Sequence, residues 1–275
     1  MTLTLAQSLQ RAQTLGLARI DAQLLHLHAL GRSPHDRAWL LAHDSDALPA
    51  EVQERLESWL QRRLAGEPIA YITGRKEFFG LSLQVDARVL DPRPDTETLV
   101  DWALTLLRAD RAQRVLDLGT GSGAVALAIQ HERPSCQVTA VDASADALAV
   151  ASANAQRLAL PVRFVQSDWM AHVSGPFELI VSNPPYVAEG DPHLAALTHE
   201  PLQALTSGAD GLDDIRQIIQ QAPSRLTAGG WLLLEHGWDQ APAVRDLLQR
   251  AGFAHVQSRQ DLAGVARCTG GQQPD

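Results

Sequence analysis

The chain has 275 residues, 45% apolar and 20% charged, with 23 basic against 32 acidic side chains and a formal net charge of −9. That length accommodates one large domain and a small one, and the acidic balance argues against general nucleic-acid binding, leaving only a local basic patch open. No stretch reaches the ~18 apolar residues of a membrane span and no charged-then-apolar leader opens the chain, so a cytoplasmic, membrane-free protein is expected.

In chain order, residues 1 to about 65 read as helices. Leu5, Leu9 and Ala12 recur at helical spacing, as do Ile20, Leu24, Leu27 and Leu30, and then Val52, Leu56, Trp59, Leu60 and Leu64. Gly31, Pro34, Pro49, Gly66 and Pro68 punctuate them. His26 and His28, two apart, do not share a helical face, and no His/Cys/Asp cluster has metal-ligand spacing, so no metal is expected. Trp39, Trp59 and Trp102 sit among apolar neighbours and read as core. Residues 69–92 alternate and carry turn residues, which suggests a hairpin linker between a helical domain at 1–68 and a second domain at 93–275.

From about residue 94 the pattern becomes strand, Gly or Asp turn, helix. The strands are expected at Arg114–Leu118, Gln137–Val141, Val162–Gln166, Leu179–Ser182, Trp231–Glu235, His255–Ser258 and Val265–Thr269, with helices between the first five. Such alternation predicts an α/β fold with a doubly wound, mostly parallel seven-stranded sheet; the last two strands, with no helix between them, predict an antiparallel edge strand. Cys136 and Cys268 lie in apolar or strand-like segments and read as buried, reduced thiols.

The segment "RVLDLGTGSGAVALAI" ends a buried strand at Asp117 and follows it with Gly119, Thr120, Gly121, Ser122 and Gly123 before a helix. Glycines there let backbone approach a ligand and expose N–H groups at a helix start. The G-x-G-x-G spacing is tighter than that of a dinucleotide loop, and the absence of a following Lys-Ser/Thr excludes a Walker loop. A tight strand-to-helix turn without a ligand is the plain alternative. The next strand ends at Asp142, whose carboxylate can accept both ribose hydroxyls. The third ends at Asp168 and Trp169, an acceptor for an adenine amino group and an indole to pack on the purine. Three such strand ends point to an adenosine ligand.

The fourth strand ends in Asn183-Pro184-Pro185-Tyr186. A nitrogen conjugated with a carbonyl or ring is a poor nucleophile because its lone pair is delocalised, as in a peptide bond. Two carbonyl acceptors against its NH₂ would aim the lone pair: the Asn183 side-chain oxygen and the Pro184 main-chain oxygen, the latter held by its ring and by Pro185. Tyr186 can stack on the flat group. A proline-rich loop that merely closes a strand is the plain alternative. Glu235-His236 at a strand end reads as packing that can support the pocket.

The G-x-G-x-G loop after an acidic strand end resembles class I S-adenosylmethionine-dependent methyltransferases, and Asn-Pro-Pro-Tyr resembles those acting on planar nitrogens. The wider chain resembles the release factor glutamine methyltransferases, the PrmC/HemK family. The pieces that carry this are "RRLAGEPIAYITGRKEFFG", "RPDTETLV", "DLGTGSGAVALA", "SNPPY", "EPLQAL", "LLLEHGWDQ" and "DLAGVAR". The resemblance implies an N-terminal helical substrate-recognition domain, S-adenosylmethionine as methyl donor, and a class I peptide-chain release factor as partner. The methyl acceptor would be the glutamine of that factor's Gly-Gly-Gln motif. It implies cofactor binding by residues Asp117, Gly119–Gly123, Asp142, Asp168, Trp169 and Asn183, and catalysis by Asn183, Pro184, Pro185 and Tyr186. A monomer without stable nucleic-acid binding is expected. Glutamine methylation of a ribosomal protein and adenine amino-methylation of DNA or RNA remain alternatives. Asp91 stands where the family tends to have an apolar residue, and Thr198 where arginine is common. The terminal Gly270-Gly271-Gln272 repeats the substrate tripeptide; a frayed tail is the expectation, with a visit to the active site as the alternative.

Overall fold

The computed structural model describes residues 3–275, and its contacts divide the chain into two units, Met1–Arg75 with Ala196–His199 and Lys76–Ala195 with Glu200–Asp275. The first unit holds α1 (Leu5–Thr14), α2 (Arg19–Ala29), α3 (Arg37–Ala42), α4 (Ala50–Leu64) and α5 (Ile69–Thr73). Thr4 and Gln7 start α1 by a reciprocal cap: each side-chain oxygen accepts the other's backbone N–H, at 3.3 and 3.0 Å. The apolar stripes predicted from spacing meet in one core containing Leu5, Ala12, Leu25, Leu27, Leu40, Leu56, Leu60 and Ile72. His26 lies inside it, bonded to Ser8 Oγ at 2.8 Å and the Ala22 carbonyl at 2.7 Å, and burial lowers its pKa, so it is a neutral structural side chain. The expected linker begins later than residue 69: Ile69–Thr73 is helical and ends at Gly74, whose φ of 69° closes the turn.

A hairpin follows, β1 (Arg75–Phe78) and β2 (Leu81–Gln84), turned by Phe79 and Gly80 at φ 49° and 75°. The remaining elements are α6 (Glu97–Leu106), β3 (Arg114–Leu118), α7 (Ala124–Glu132), β4 (Gln137–Asp142), α8 (Ala145–Leu158), β5 (Arg163–Gln166), β6 (Phe177–Ser182), α9 (Asp213–Gln221), β7 (Leu226–Glu235), α10 (Ala241–Arg250), β8 (Ala254–Gln260) and β9 (Ala266–Gln272). The seven strands after the hairpin form one sheet in the order β5-β4-β3-β6-β7-β9-β8, parallel from β5 to β7. β3 is buried along nearly its whole length, and Leu116, Leu118, Ile180, Leu232 and Leu234 pack with Ile215 and Ile218 of α9 and Val244 and Leu248 of α10. The order reverses between β3 and β6, so the crevice beyond their carboxyl ends is where an open α/β sheet binds ligands.

Four details differ from expectation. No helix joins β5 to β6: residues 167–176, which include Gly175-Pro176, form turns, too short a stretch for a crossover helix. β7 begins at Leu226 instead of Trp231, because Gly229 at φ 72° and Gly230 are carried through the strand beside a register shift in the β6 pairing. The antiparallel strand is β9, one place in from the edge, with β8 outside it. Gly270-Gly271-Gln272 is no frayed tail: it lies in β9, paired to β7 on one side and β8 on the other. A Cβ on Gly270 would sit 2.5 Å from Leu233 Cδ2 and 2.9 Å from Trp102 Cη2, and one on Gly271 would sit 2.8 Å from Phe253 Cβ. The two glycines are there for packing, and the strand is unavailable to enter an active site.

Candidate active site

The site begins where β3 and β6 end side by side, tied by Ser182 Oγ donating to the Leu118 carbonyl at 2.8 Å. Beyond β3 the backbone turns through Gly119 and Gly121 at φ 68° and 55°, which only glycine adopts cheaply. A Cβ at Gly121 would meet nothing within 4 Å, and one at Gly119 would meet only the Trp169 ring, at 3.4 Å. The bare backbone therefore faces open space. The loop is held from beneath: Thr120 N–H donates to the Val141 carbonyl at 2.9 Å, and Thr120 Oγ1 to Asp117 Oδ2 at 2.6 Å. Asp117 is buried, and loss of solvation pushes its carboxyl up to about 7.

Asp142, at the end of β4, accepts Gly121 N–H on one oxygen and Ser144 N–H on the other, both at 2.9 Å. Burial raises its pKa and these two bonds oppose the rise. Each oxygen keeps a lone pair for a ligand hydroxyl. Trp169 holds φ at 43°, an unfavourable conformation for a bulky residue costing ~1–3 kcal/mol, and this sets its ring over Gly119. A cavity of about 270 Å³ joins these groups, lined by Asp117, Gly119, Thr120, Gly121, Ser122, Asp142, Asp168, Trp169, Asn183 and Pro185 among others. Its carboxylates suit a polyhydroxylated or cationic ligand and disfavour a pyrophosphate.

Three predicted residues do not line that cavity: Gly123, Pro184 and Tyr186. Gly123 is a packing glycine, since a Cβ there would lie 3.0 Å from Leu127 Cδ1 and 3.2 Å from Ala151 Cβ, where α7 meets α8. Pro184 is buried, and among the described residues no hydrogen bond uses its carbonyl. Tyr186 is half-buried against the core beneath β7. Its hydroxyl donates to Glu235 Oε1 at 3.3 Å and its carbonyl accepts from Gln240 Nε2 at 3.0 Å. A Cβ on Gly211 would sit 2.3 Å from that carbonyl, so Gly211 is what lets the loop seat there.

Asn183 carries the chemistry. Its Nδ2 donates to Thr96 Oγ1 at 3.1 Å, which leaves Oδ1 as the free end on a residue lining the cavity. Thr96 belongs to "RPDTE", whose polar residues each brace the site. Arg93 Nη2 pairs with buried Glu200 at 2.5 Å, Asp95 with Arg267 of β9 at 3.0 Å, and Glu97 Oε1 accepts Phe79 N–H at 3.0 Å in the hairpin turn. Asp91 is buried with cations on both sides, Lys76 at 3.1 Å and Arg93 at 3.7 Å, which explains how a carboxylate stands at a usually apolar position.

Sequence reasoning missed Thr96 and Asn154. Asn154, fully buried on α8, pairs its amide with both backbone groups of Gln84 in β2, at 2.7 and 2.9 Å. It also donates to the Ser122 carbonyl at 3.0 Å, coupling the hairpin to the glycine loop. An asparagine in an otherwise Ala-rich helix interior, where its propensity is poor, was the available signal.

Residues 96–249 match the methyltransferase small domain family and residues 3–74 the PrmC N-terminal domain family. A curated release factor glutamine methyltransferase from Bordetella pertussis is 50% identical over 93% of this chain and 95% of its own length. Another, from Pseudomonas aeruginosa, is 50% identical over 93% and 92%. The chain belongs to the release factor glutamine methyltransferase family. Among solved structures, a methyltransferase from Pyrococcus furiosus superposes with a TM-score of 0.58 at 21% identity, covering 80% of this chain and all of that one, a likeness of fold. Family membership extends through both units: the helical match ends at residue 74, beside the division between the units at Arg75. Among the described residues no helix is long and apolar enough to cross a membrane, and no group of three His, Cys, Asp or Glu is placed to hold a metal.

Proposed function

We propose that this protein transfers a methyl group from S-adenosylmethionine to the side-chain amide nitrogen of the Gly-Gly-Gln glutamine in a class I release factor. The observation that carries the reading is Asn183, its nitrogen engaged by Thr96 and its oxygen free, at the rim of a cavity with carboxylate and indole contacts for a nucleoside. The cavity fits the cofactor: Asp142 would take the ribose hydroxyls, Asp168 and Trp169 the adenine, and the open backbone at Gly119 and Gly121 the remainder. When bound, the sulfonium would supply an electrophilic methyl group, its S–CH₃ bond breaking to leave a neutral thioether as the new N–C bond forms. Asn183 Oδ1 accepts one hydrogen of the incoming glutamine NH₂, and the unengaged Pro184 carbonyl accepts the second. The nitrogen lone pair is thereby aimed, and the rate gain comes from positioning. Tyr186, anchored through Glu235 and Gln240, fixes the course of this loop. The proton leaves to water once the nitrogen is methylated.

The helical unit is assigned to recognition of the release factor, the protein acts in the cytoplasm, and it is a monomer. The test is transfer of labelled methyl to a purified class I release factor, to the same factor with its motif glutamine replaced by alanine, to ribosomal protein and to DNA. Label on the intact factor alone is expected. Label on DNA or ribosomal protein but not on the factor overturns the substrate.

A further inference from the structure

We propose that Glu235, acting through the Thr96 hydroxyl, decides which end of the Asn183 amide faces the substrate, so that both are positioning residues for the transfer; the inference rests on the function proposed above. An asparagine side chain has two ends of nearly the same shape and opposite hydrogen-bond character. Reversed, Asn183 would point an NH₂ at the NH₂ it must bind, and the lone pair of the incoming nitrogen would not be aimed.

The direction is set by a chain of donors. Asn183 Nδ2 donates to Thr96 Oγ1 at 3.1 Å, so Thr96 acts as acceptor there and its own hydrogen must turn elsewhere. Thr96 is 3% exposed, which removes water as the alternative. The group beside it is Glu235 at the end of β7, 1% exposed, with Oε1 taking the Tyr186 hydroxyl and Oε2 buried with no hydrogen-bond partner in place among the described residues. The Tyr186 hydroxyl is bonded to Oε1; the Thr96 hydroxyl is not hydrogen-bonded to the carboxyl as it stands, but it lies close enough to oppose the rise that burial imposes. An ionised carboxylate only accepts. It therefore draws the Thr96 hydrogen to itself, leaves Thr96 an acceptor, and obliges Asn183 to present nitrogen inward and oxygen outward. A donor at position 235 reverses each step.

The carboxyl is strongly perturbed, pushed up to about 7 chiefly by burial. The charged and titratable groups facing it are Asp95, which raises it further, Arg267, which opposes, Tyr186, and the buried Cys268 beside it on β9. Protonation on the acid side of neutrality thus supplies the wrong donor, and the amide loses its preferred direction.

The sequence makes this measurable, for Asn154 and Asn183 are the only two asparagines in the chain. Asparagine labelled with ¹⁵N in the side chain gives two amide signals in the full-length protein, assigned by an Asn183→Ala sample, with buried Asn154 as internal reference. In the wild type the Asn183 signal should move as pH crosses neutrality while that of Asn154 holds still, and in Glu235→Gln the movement should vanish. In methyl transfer to a release factor, Thr96→Val and Glu235→Gln should lower kcat on the order of 10²-fold with cofactor affinity unchanged, and Thr96→Ser, which keeps the hydroxyl, should restore it. A Thr96→Val enzyme as fast as wild type, or an Asn183 signal in Glu235→Gln that titrates as in wild type, overturns the relay. A wild type that titrates as described yet methylates no release factor overturns the function and leaves the relay standing.

Discussion

Replacing Asn154 with alanine removes three hydrogen bonds that join the hairpin to the glycine loop, two to Gln84 and one to the Ser122 carbonyl. At ~1 kcal/mol net for each bond the loss is about 3 kcal/mol. The parts differ: Gln84 lies on an exposed strand edge where water can replace the amide, whereas Ser122 is 3% exposed and its carbonyl is left stranded. The cavity left in a fully buried position adds to the cost. For a domain of about 200 residues, ~3 kcal/mol corresponds to a fall in Tm of roughly 6–12 °C. Thermal unfolding followed by circular dichroism reads this directly, and titration calorimetry with S-adenosylmethionine should show weaker binding, because the loop that presents Gly121 has lost its support. A variant within about 2 °C of wild type and with unchanged cofactor affinity would refute the reasoning, since that is less than 1 kcal/mol at this size.

The two loop glycines should separate by degree: both sit at positive φ, so alanine strains the backbone and lowers Tm at each, but Gly123→Ala also brings a Cβ to 3.0 Å from Leu127 and should lower Tm more, whereas Gly121→Ala meets no protein atom within 4 Å and should add a loss of cofactor affinity by calorimetry. Asp117 carries a sign. Its folded carboxyl titrates near 7 against 3.8 when exposed, so its contribution to stability is full below about pH 4 and is lost as pH rises through about 7. Asp117→Asn has no such proton to lose, and its Tm relative to wild type should be higher at about pH 8 than at about pH 5; a difference that ignores pH or runs the other way contradicts the burial argument. Arg93→Met strands the buried carboxylate of Glu200, a loss of ~3 kcal/mol by denaturant unfolding, and an unchanged midpoint would contradict the bracing role of the pair.

Much of this was readable in the chain because the relevant signals are local. The strand at Arg114–Leu118 carries Val115, Leu116 and Leu118, the three glycines after it punctuate sharply, and Asn-Pro-Pro-Tyr cannot continue a sheet, so the crevice and its principal residues could be named from spacing. What escaped depends on packing across the sheet. Gly229-Gly230 looks like a turn but is carried inside β7 by a bulge, and Gly270-Gly271 looks like a loose tail but is pressed against Leu233, Trp102 and Phe253. Gly123 shares its spacing with Gly119 and Gly121, yet serves helix packing, a distinction that only the position of Leu127 makes. Thr96 and Asn183 are 87 positions apart, and nothing in either local sequence announces that one orients the other.

Asn183→Ala tests the central claim most directly. Single-turnover methyl transfer to a release factor, measured beside cofactor binding on the same preparation, should show transfer slowed by roughly 2–4 kcal/mol of lost transition-state stabilisation while affinity for S-adenosylmethionine stays near that of wild type. Transfer at the wild-type rate, or a defect confined to cofactor binding, would contradict the account.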